Sequence, residues 1–211
     1  MMRSGGLFLA IAAAVAAVPL ALSVSGQPAA SPPSPARPSH AAATSPGRVK
    51  LAPGRELTVV RPDGASERVT SLLNVPRRMA YGDYTWADAG VPAGKVWVRV
   101  DLGAQLMSVF RSGQEIGTAV IIYGAPDKPT PTGWLTVQEK RRDHYSRTYD
   151  APMPFMLRLT DDGVAIHASA VLSGRATHGC IGIPDAFARK VYDAMNKGDA
   201  VLVVGGEAHK A

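Results

Sequence analysis

The chain has one cysteine, Cys180, in 211 residues, so no internal disulfide can form and its core must hold unaided. It has no CxxC pair and no HExxH signature, which removes two familiar spacings of a zinc site. Aromatic residues make up only 6% of the chain, and the basic runs Arg77-Arg78 and Lys140-Arg141-Arg142 are short. A nucleic-acid surface would need a concentrated basic face with interleaved aromatics, and none is present. The net charge of +6 therefore reads as solubility plus weak attraction to anionic polymers. No internal repeat is visible, which excludes a solenoid.

The chain does contain an apolar start. Residues 1–25 carry Arg3 and then a run from Leu7 to Leu22 broken only by Pro19. Ser23-Val24-Ser25 follows with small residues suited to signal cleavage before Gly26. The expectation is a protein exported to the periplasm or cell-wall space. If the segment stays uncleaved it anchors the protein to the membrane, being just about long enough to span one. Residues 26–47 hold six prolines and no large apolar residue, which describes an extended linker. Residues 48–94 form an N-terminal extension. Within it, Leu57–Val60, a turn at Arg61-Pro62-Asp63-Gly64, and Glu67–Val75 suggest a hairpin packed on the main domain or a partly ordered arm.

From Lys95 the strand signals sharpen. Val96–Asp101 alternates with period two, as a half-buried strand does. Leu106–Phe110, Ile116–Tyr123, Leu135–Glu139, Phe155–Leu159, Val164–His167 and Ala200–Val204 complete about seven strands. Residues 140–154 read as an excursion without regular structure. One helix is expected, with Pro184 and Asp185 at its start and Phe187, Val191, Ala194 and Met195 on one face. Asn196-Lys197-Gly198 would stop it, with Gly198 as a left-handed cap. The result is a mainly β domain over residues 95–204, with one helix near its C-terminal side and a tail at 205–211.

The chemistry gathers between Ala165 and Ile183, AIHASAVLSGRATHGCIGI. A free thiol is only about 3% thiolate at pH 7, so a nucleophilic Cys180 needs a base. His167, at the end of a separate strand, can approach the sulfur freely and is the better choice. His178, two residues before the cysteine, suits a structural or donor role. The N–H groups of Gly179 and Cys180 offer an oxyanion hole.

A histidine after an apolar strand, a glycine-containing loop, Thr177-His178-Gly179-Cys180 and then a helix resemble the YkuD-type L,D-transpeptidases of bacterial cell walls. Thr130-Pro131-Thr132-Gly133 is similar to a TPTG segment of that family, and the likeness runs from Trp97 to Val204. The resemblance implies a β-sandwich-like catalytic domain acting on peptidoglycan stem peptides without cofactor or metal. Cys180 would be the nucleophile and His167 the proton acceptor and donor, with Thr177, His178 and Gly179 lining the site. It implies release of a terminal D-alanine, a 3→3 cross-link to a second stem, and acylation of the cysteine by carbapenems. In two places the chain departs from the family pattern. Ala168 stands where a glycine often follows the base histidine, and Gly182 stands where many members have arginine. Arg175, Arg158 and Arg147 are the available replacement cations.

Other readings use the same residues. An L,D-carboxypeptidase would pass the acyl group to water. A zinc site could draw on Cys180, His178 and His167. A wall-binding module could keep the fold without turnover, and a structural thiol would need none of this.

Overall fold

The computed structural model describes residues 47–205. The expected signal segment at 1–25, nearly all of the linker at 26–47 and all but Gly205 of the tail lie outside the described residues.

The N-terminal extension supplies β1 (Arg48–Lys50), β2 (Leu57–Val60), β3 (Ser66–Val69), β4 (Ser71–Leu73) and β5 (Tyr84–Trp86). The strands β6 (Val96–Asp101), β7 (Leu106–Arg111) and β8 (Gln114–Val120) follow as an antiparallel meander. Then come β9 (Gly133–Thr136), β10 (Glu139–Arg141), β11 (Tyr145–Ser146), β12 (Ala151–Pro152), β13 (Met156–Arg158) and β14 (Ala165–Ala168). The domain finishes with β15 (Ile181–Ile183), α1 (Asp185–Ala194) and β16 (Ala200–Val204).

Two sheets organise these elements. The larger runs β1-β4-β8-β7-β6-β16-β9, with β5 pairing β8 beyond the point where β4 stops. The smaller runs β10-β13-β14-β15, and its last pair is parallel. Between them lies the main core, to which β6 gives Val96, Val98 and Val100 while β14 and β15 give Ile166, Ala168, Ile181 and Ile183. The architecture is mainly β with one helix, as the strand pattern predicts. Phe187 of α1, fully buried, carries the helix into this core against Tyr84 and Trp86, each with its ring 5.7 Å away.

The alternation of β6 predicts one dry face, yet both faces are covered. Trp97, on the face away from the main core, is 2% exposed. It stacks on Phe110 with centroids 4.6 Å apart, in a second cluster with Val69 of β3 and Val59 of β2. The cover comes from the extension, and period-two patterning carries no sign of a layer contributed from elsewhere in the chain.

The end of α1 also differs from expectation. The helix stops at Ala194, and Met195 turns to extended backbone (φ −92, ψ 152), so Gly198 lies beyond the cap position. The exposed end carbonyls are met instead by an ammonium group. Lys140 of β10 donates to the carbonyls of Tyr192 and Met195 and lies 4.5 Å from the Tyr192 ring centroid. A cation at a helix C-terminus satisfies orphan acceptors and complements the helix dipole. Replacing it by methionine keeps the stem and removes the donors. Lys140→Met should lower stability by about 1–3 kcal/mol, read as a urea midpoint shift at constant m-value.

Candidate active site

Parallel pairing of β14 with β15 places the two chemical side chains. Ile166 sits beside Ile181 and His167 beside Gly182. Ile166, Ala168, Ile181 and Ile183 all point into the core, so the opposite face carries Ala165 and His167 on one strand and Cys180 and Gly182 on the other. Cys180 and His167 are thus diagonal neighbours on one face, the residue pair that sequence chemistry selects.

His167 is 8% exposed, and its Nδ1 lies 2.8 Å from the Ala168 carbonyl oxygen. A carbonyl can only accept, so Nδ1 carries the proton and Nε2 keeps a free lone pair. Ser169 Oγ lies 3.4 Å from the same Nδ1. Burial pushes the imidazole pKa below its usual value; the Ala168 bond opposes this, and His144 adds to it by charge repulsion. Cys180 is half-buried against Met153, Met156 and Ala165, with Sγ 3.9 Å from the Gly163 carbonyl oxygen. Burial raises the thiol pKa, the Ala165 N–H lowers it, and the Asp162 carboxylate raises it again. Both shifts favour neutral partners at rest. No hydrogen bond joins the thiol to the imidazole, and in unliganded enzymes such contacts often tighten only when substrate arrives.

The loop before the cysteine is sewn to the segment that joins β8 to β9. Thr177 donates its N–H to the Tyr123 carbonyl (2.9 Å), and its own carbonyl accepts from Ala125 N–H (3.0 Å). Its hydroxyl donates to the Cys180 carbonyl. Thr130, 4% exposed, accepts from Gly124 N–H and donates to the Gly179 carbonyl, each at 2.9 Å. A Cβ on Gly124 would lie 2.2 Å from the Lys128 carbonyl oxygen and 2.9 Å from Gly179 Cα, so only glycine allows this approach. Gly179 itself has φ +101, a conformation few other residues tolerate. The carbonyls of Thr177, Gly179 and Cys180 are thereby tied down. The N–H groups of His178, Gly179 and Cys180 make no hydrogen bond among the described residues.

Gly182 is a packing requirement. A Cβ there would lie 2.7 Å from Ile122 Cγ1 and 2.8 Å from Ser169 Cβ, and Gly182 exchanges both backbone hydrogen bonds with Ile122 (2.9 and 3.0 Å). Ile122 and Ser169 fill the space an arginine side chain would leave through. Of the replacement cations, Arg158 is bound to Glu139 at 3.1 Å, while Arg147 and Arg175 form no ion pair among the described residues.

Residues 140–154 are less irregular than expected. They hold β10 and the small β11–β12 hairpin, whose Tyr149 stacks on His178 with centroids 4.5 Å apart and planes 13° off parallel. Within this segment His144 acts on the His167 imidazole, and Met153 packs against Cys180. Sequence reasoning missed His144, Tyr149, Met153 and Asp162 as members of the site. Asp162 sits in Asp161-Asp162-Gly163, residue types that signal a tight turn between strands and give no sign of a site. Among the described residues, no three His, Cys, Asp or Glu side chains converge to hold a metal ion.

Thr130→Val keeps the shape and strands both loop partners. The expected loss is about 1–3 kcal/mol of stability, with a larger fall in Cys180 reactivity than in secondary structure by circular dichroism. The thiol pKa sets a second outcome. Alkylation of Cys180 by iodoacetamide should be slow at neutral pH and rise through a midpoint above that of free cysteine. Asp162→Asn removes a negative charge that raises this pKa, so the rise should move to lower pH.

Residues 95–203 match the family model of the L,D-transpeptidase catalytic domain, YkuD. L,D-transpeptidase 1 of Mycobacterium tuberculosis (strain ATCC 25618 / H37Rv) is 31% identical over 121 residues, covering 49% of this chain and 48% of that protein. The chain spans about half the length of the curated relatives it matches. The crystal structure of an L,D-transpeptidase from Stackebrandtia nassauensis is similar in fold, with TM-score 0.51, 23% identity and coverage of 56% of this chain and 58% of that one. An L,D-transpeptidase solved in complex with imipenem is 26% identical with TM-score 0.48, covering 52% of this chain and 58% of its own. Since the matched residues run from just before β6 into β16 and take in the whole constellation around Cys180, the chain belongs to the YkuD family of L,D-transpeptidase catalytic domains.

Proposed function

We propose that this protein is an exported cysteine L,D-transpeptidase that forms 3→3 cross-links between peptidoglycan stem peptides. The observation that carries the reading is the cysteine loop. Its Gly179 and Cys180 carbonyls are held by Thr130 and Thr177, its N–H groups are open, and a histidine with a bare Nε2 is the diagonal neighbour of its thiol.

In the proposed reaction His167 Nε2 takes the thiol proton as Cys180 Sγ attacks the carbonyl of an L-to-D peptide bond. The oxyanion is received by N–H groups of the His178–Cys180 segment, where one donor is typically worth about 3–4 kcal/mol in the transition state. The imidazolium then protonates the departing D-alanine amine, leaving a thioester on Cys180. An amine of a second stem attacks the thioester, His167 accepts its proton, and the thiol leaves with the cross-link made. Neutral resting partners make this a base-assisted attack rather than one by a standing thiolate. Export rests on residues 1–25 of the sequence.

Mass spectrometry of a tetrapeptide-stem muropeptide incubated with the protein tests the reading. Loss of D-alanine with appearance of dimer is expected, and Cys180→Ala should abolish both. D-alanine loss without dimer would assign a carboxypeptidase. No change in mass, with no adduct on Cys180 from imipenem (whose strained lactam carbonyl a thiol can open), would overturn it.

A further inference from the structure

The outer face of the larger sheet holds a cavity of about 790 Å³, on the side of β6, β7 and β8 turned away from the main core. Its floor is the outward-facing series Trp97, Arg99, Leu106, Ser108 and Phe110, and the extension from Leu57 to Tyr81 roofs it. Well-packed interiors leave few voids larger than a water molecule, whereas small-molecule sites fall in a range of about 300–1,000 Å³. Two features separate this space from loose packing. Trp97 lines it, is 2% exposed, and has an indole Nε1 with no hydrogen-bond partner. Charge is also arranged around it unevenly. Arg77, Arg78 and Arg99 line the cavity together with one acidic residue, Glu115. Arg77 is bound to Asp83 at 2.9 Å and Arg99 to Asp101 at 2.8 Å, while the exposed Arg78 has no ion pair among the described residues. Glu115 accepts a hydrogen bond from Leu73 N–H at 2.8 Å, and its burial raises its pKa, which weakens its opposition to an anion. Leu57, 57% exposed, extends the apolar lining to the surface.

We propose that this cavity is a binding site for a single-chain anionic amphiphile, its alkyl chain lying on Leu106, Phe110 and Val120 and its phosphate or carboxylate head held by the Arg78 guanidinium. A mostly apolar lining disfavours a sugar or a charged peptide, and the basic side chains disfavour a cationic lipid. The site is separate from the thiol, which lies on the smaller sheet, so occupancy can be measured without turnover.

Isothermal titration of the full chain with dodecyl phosphate, below its micelle concentration, tests the proposal. Saturable binding of one molecule per chain is expected, with butyl phosphate and dodecyltrimethylammonium at least roughly tenfold weaker. Ala104→Trp, at an exposed turn residue lining the cavity, should block uptake, and Arg78→Glu should weaken it by roughly tenfold while Arg78→Lys retains it. Circular dichroism and Cys180 alkylation should stay as in the parent, which separates a lost site from a lost fold. Unsaturable uptake, equal affinity for the cationic amphiphile, or undiminished binding by both folded Ala104→Trp and Arg78→Glu would overturn the proposal. The last result would place the amphiphile elsewhere on the chain.

Discussion

One buried hydroxyl decides where the Cys180 loop stands. Thr130 Oγ1 accepts from Gly124 and donates to Gly179, so a single atom fixes the distance between the β8–β9 connection and the cysteine loop. Thr177 repeats the device with Tyr123 and Ala125 on one side and the Cys180 carbonyl on the other. Buried polar groups without partners cost free energy, and these bonds satisfy the Thr177, Gly179 and Cys180 carbonyls. The N–H donors of His178, Gly179 and Cys180 beside the thiol are left without a partner among the described residues. A loop that used those donors internally would be more stable and chemically blunt.

The electrostatics of the site follow from burial more than from charge pairing. Desolvation leads the causes at both Cys180 and His167, pushing one pKa up and the other down. The neighbouring charges reinforce this, since Asp162 acts on the thiol and His144 on the imidazole. A cysteine site tuned toward thiolate would place a cation by the sulfur, and here the nearby charged group is a carboxylate. A thiol kept protonated reacts slowly with general electrophiles, and the proposed attack needs substrate, His167 and the open N–H groups placed together.

The sequence made the chemistry more legible than its support. Cys180 and His167 stood out because a lone thiol and an imidazole ending an apolar strand are unusual in company. The sandwich strands were visible through period-two patterning, and α1 through its apolar face. Less visible was anything depending on a partner distant along the chain. Trp97 looks like a half-exposed strand residue until Val59 and Val69 cover it. Gly198 looks like a helix cap because Lys140, which takes that role, lies more than fifty residues earlier. Tyr149 belongs to a segment whose polar composition suggests a structureless loop, yet its ring lies on His178. Gly182 reads as a missing arginine in sequence and as a steric necessity in the packing of Ile122 and Ser169.

The position of β16 bears on how this domain is made. Residues Ala200–Val204 lie between β6 and β9, parallel to the first and antiparallel to the second. Until that strand exists, β9 has no neighbour in the larger sheet and β6 presents a bare edge of unpaired backbone groups. A growing chain therefore cannot complete its central ladder until the final strand of the domain has emerged, when a pairing with β6 about a hundred residues away closes. Closing such long loops slows folding, and exposed edges in the interval invite pairing with other chains. The same delay keeps the polypeptide unfolded for longer after synthesis, the condition under which a chain can still be threaded through a narrow passage.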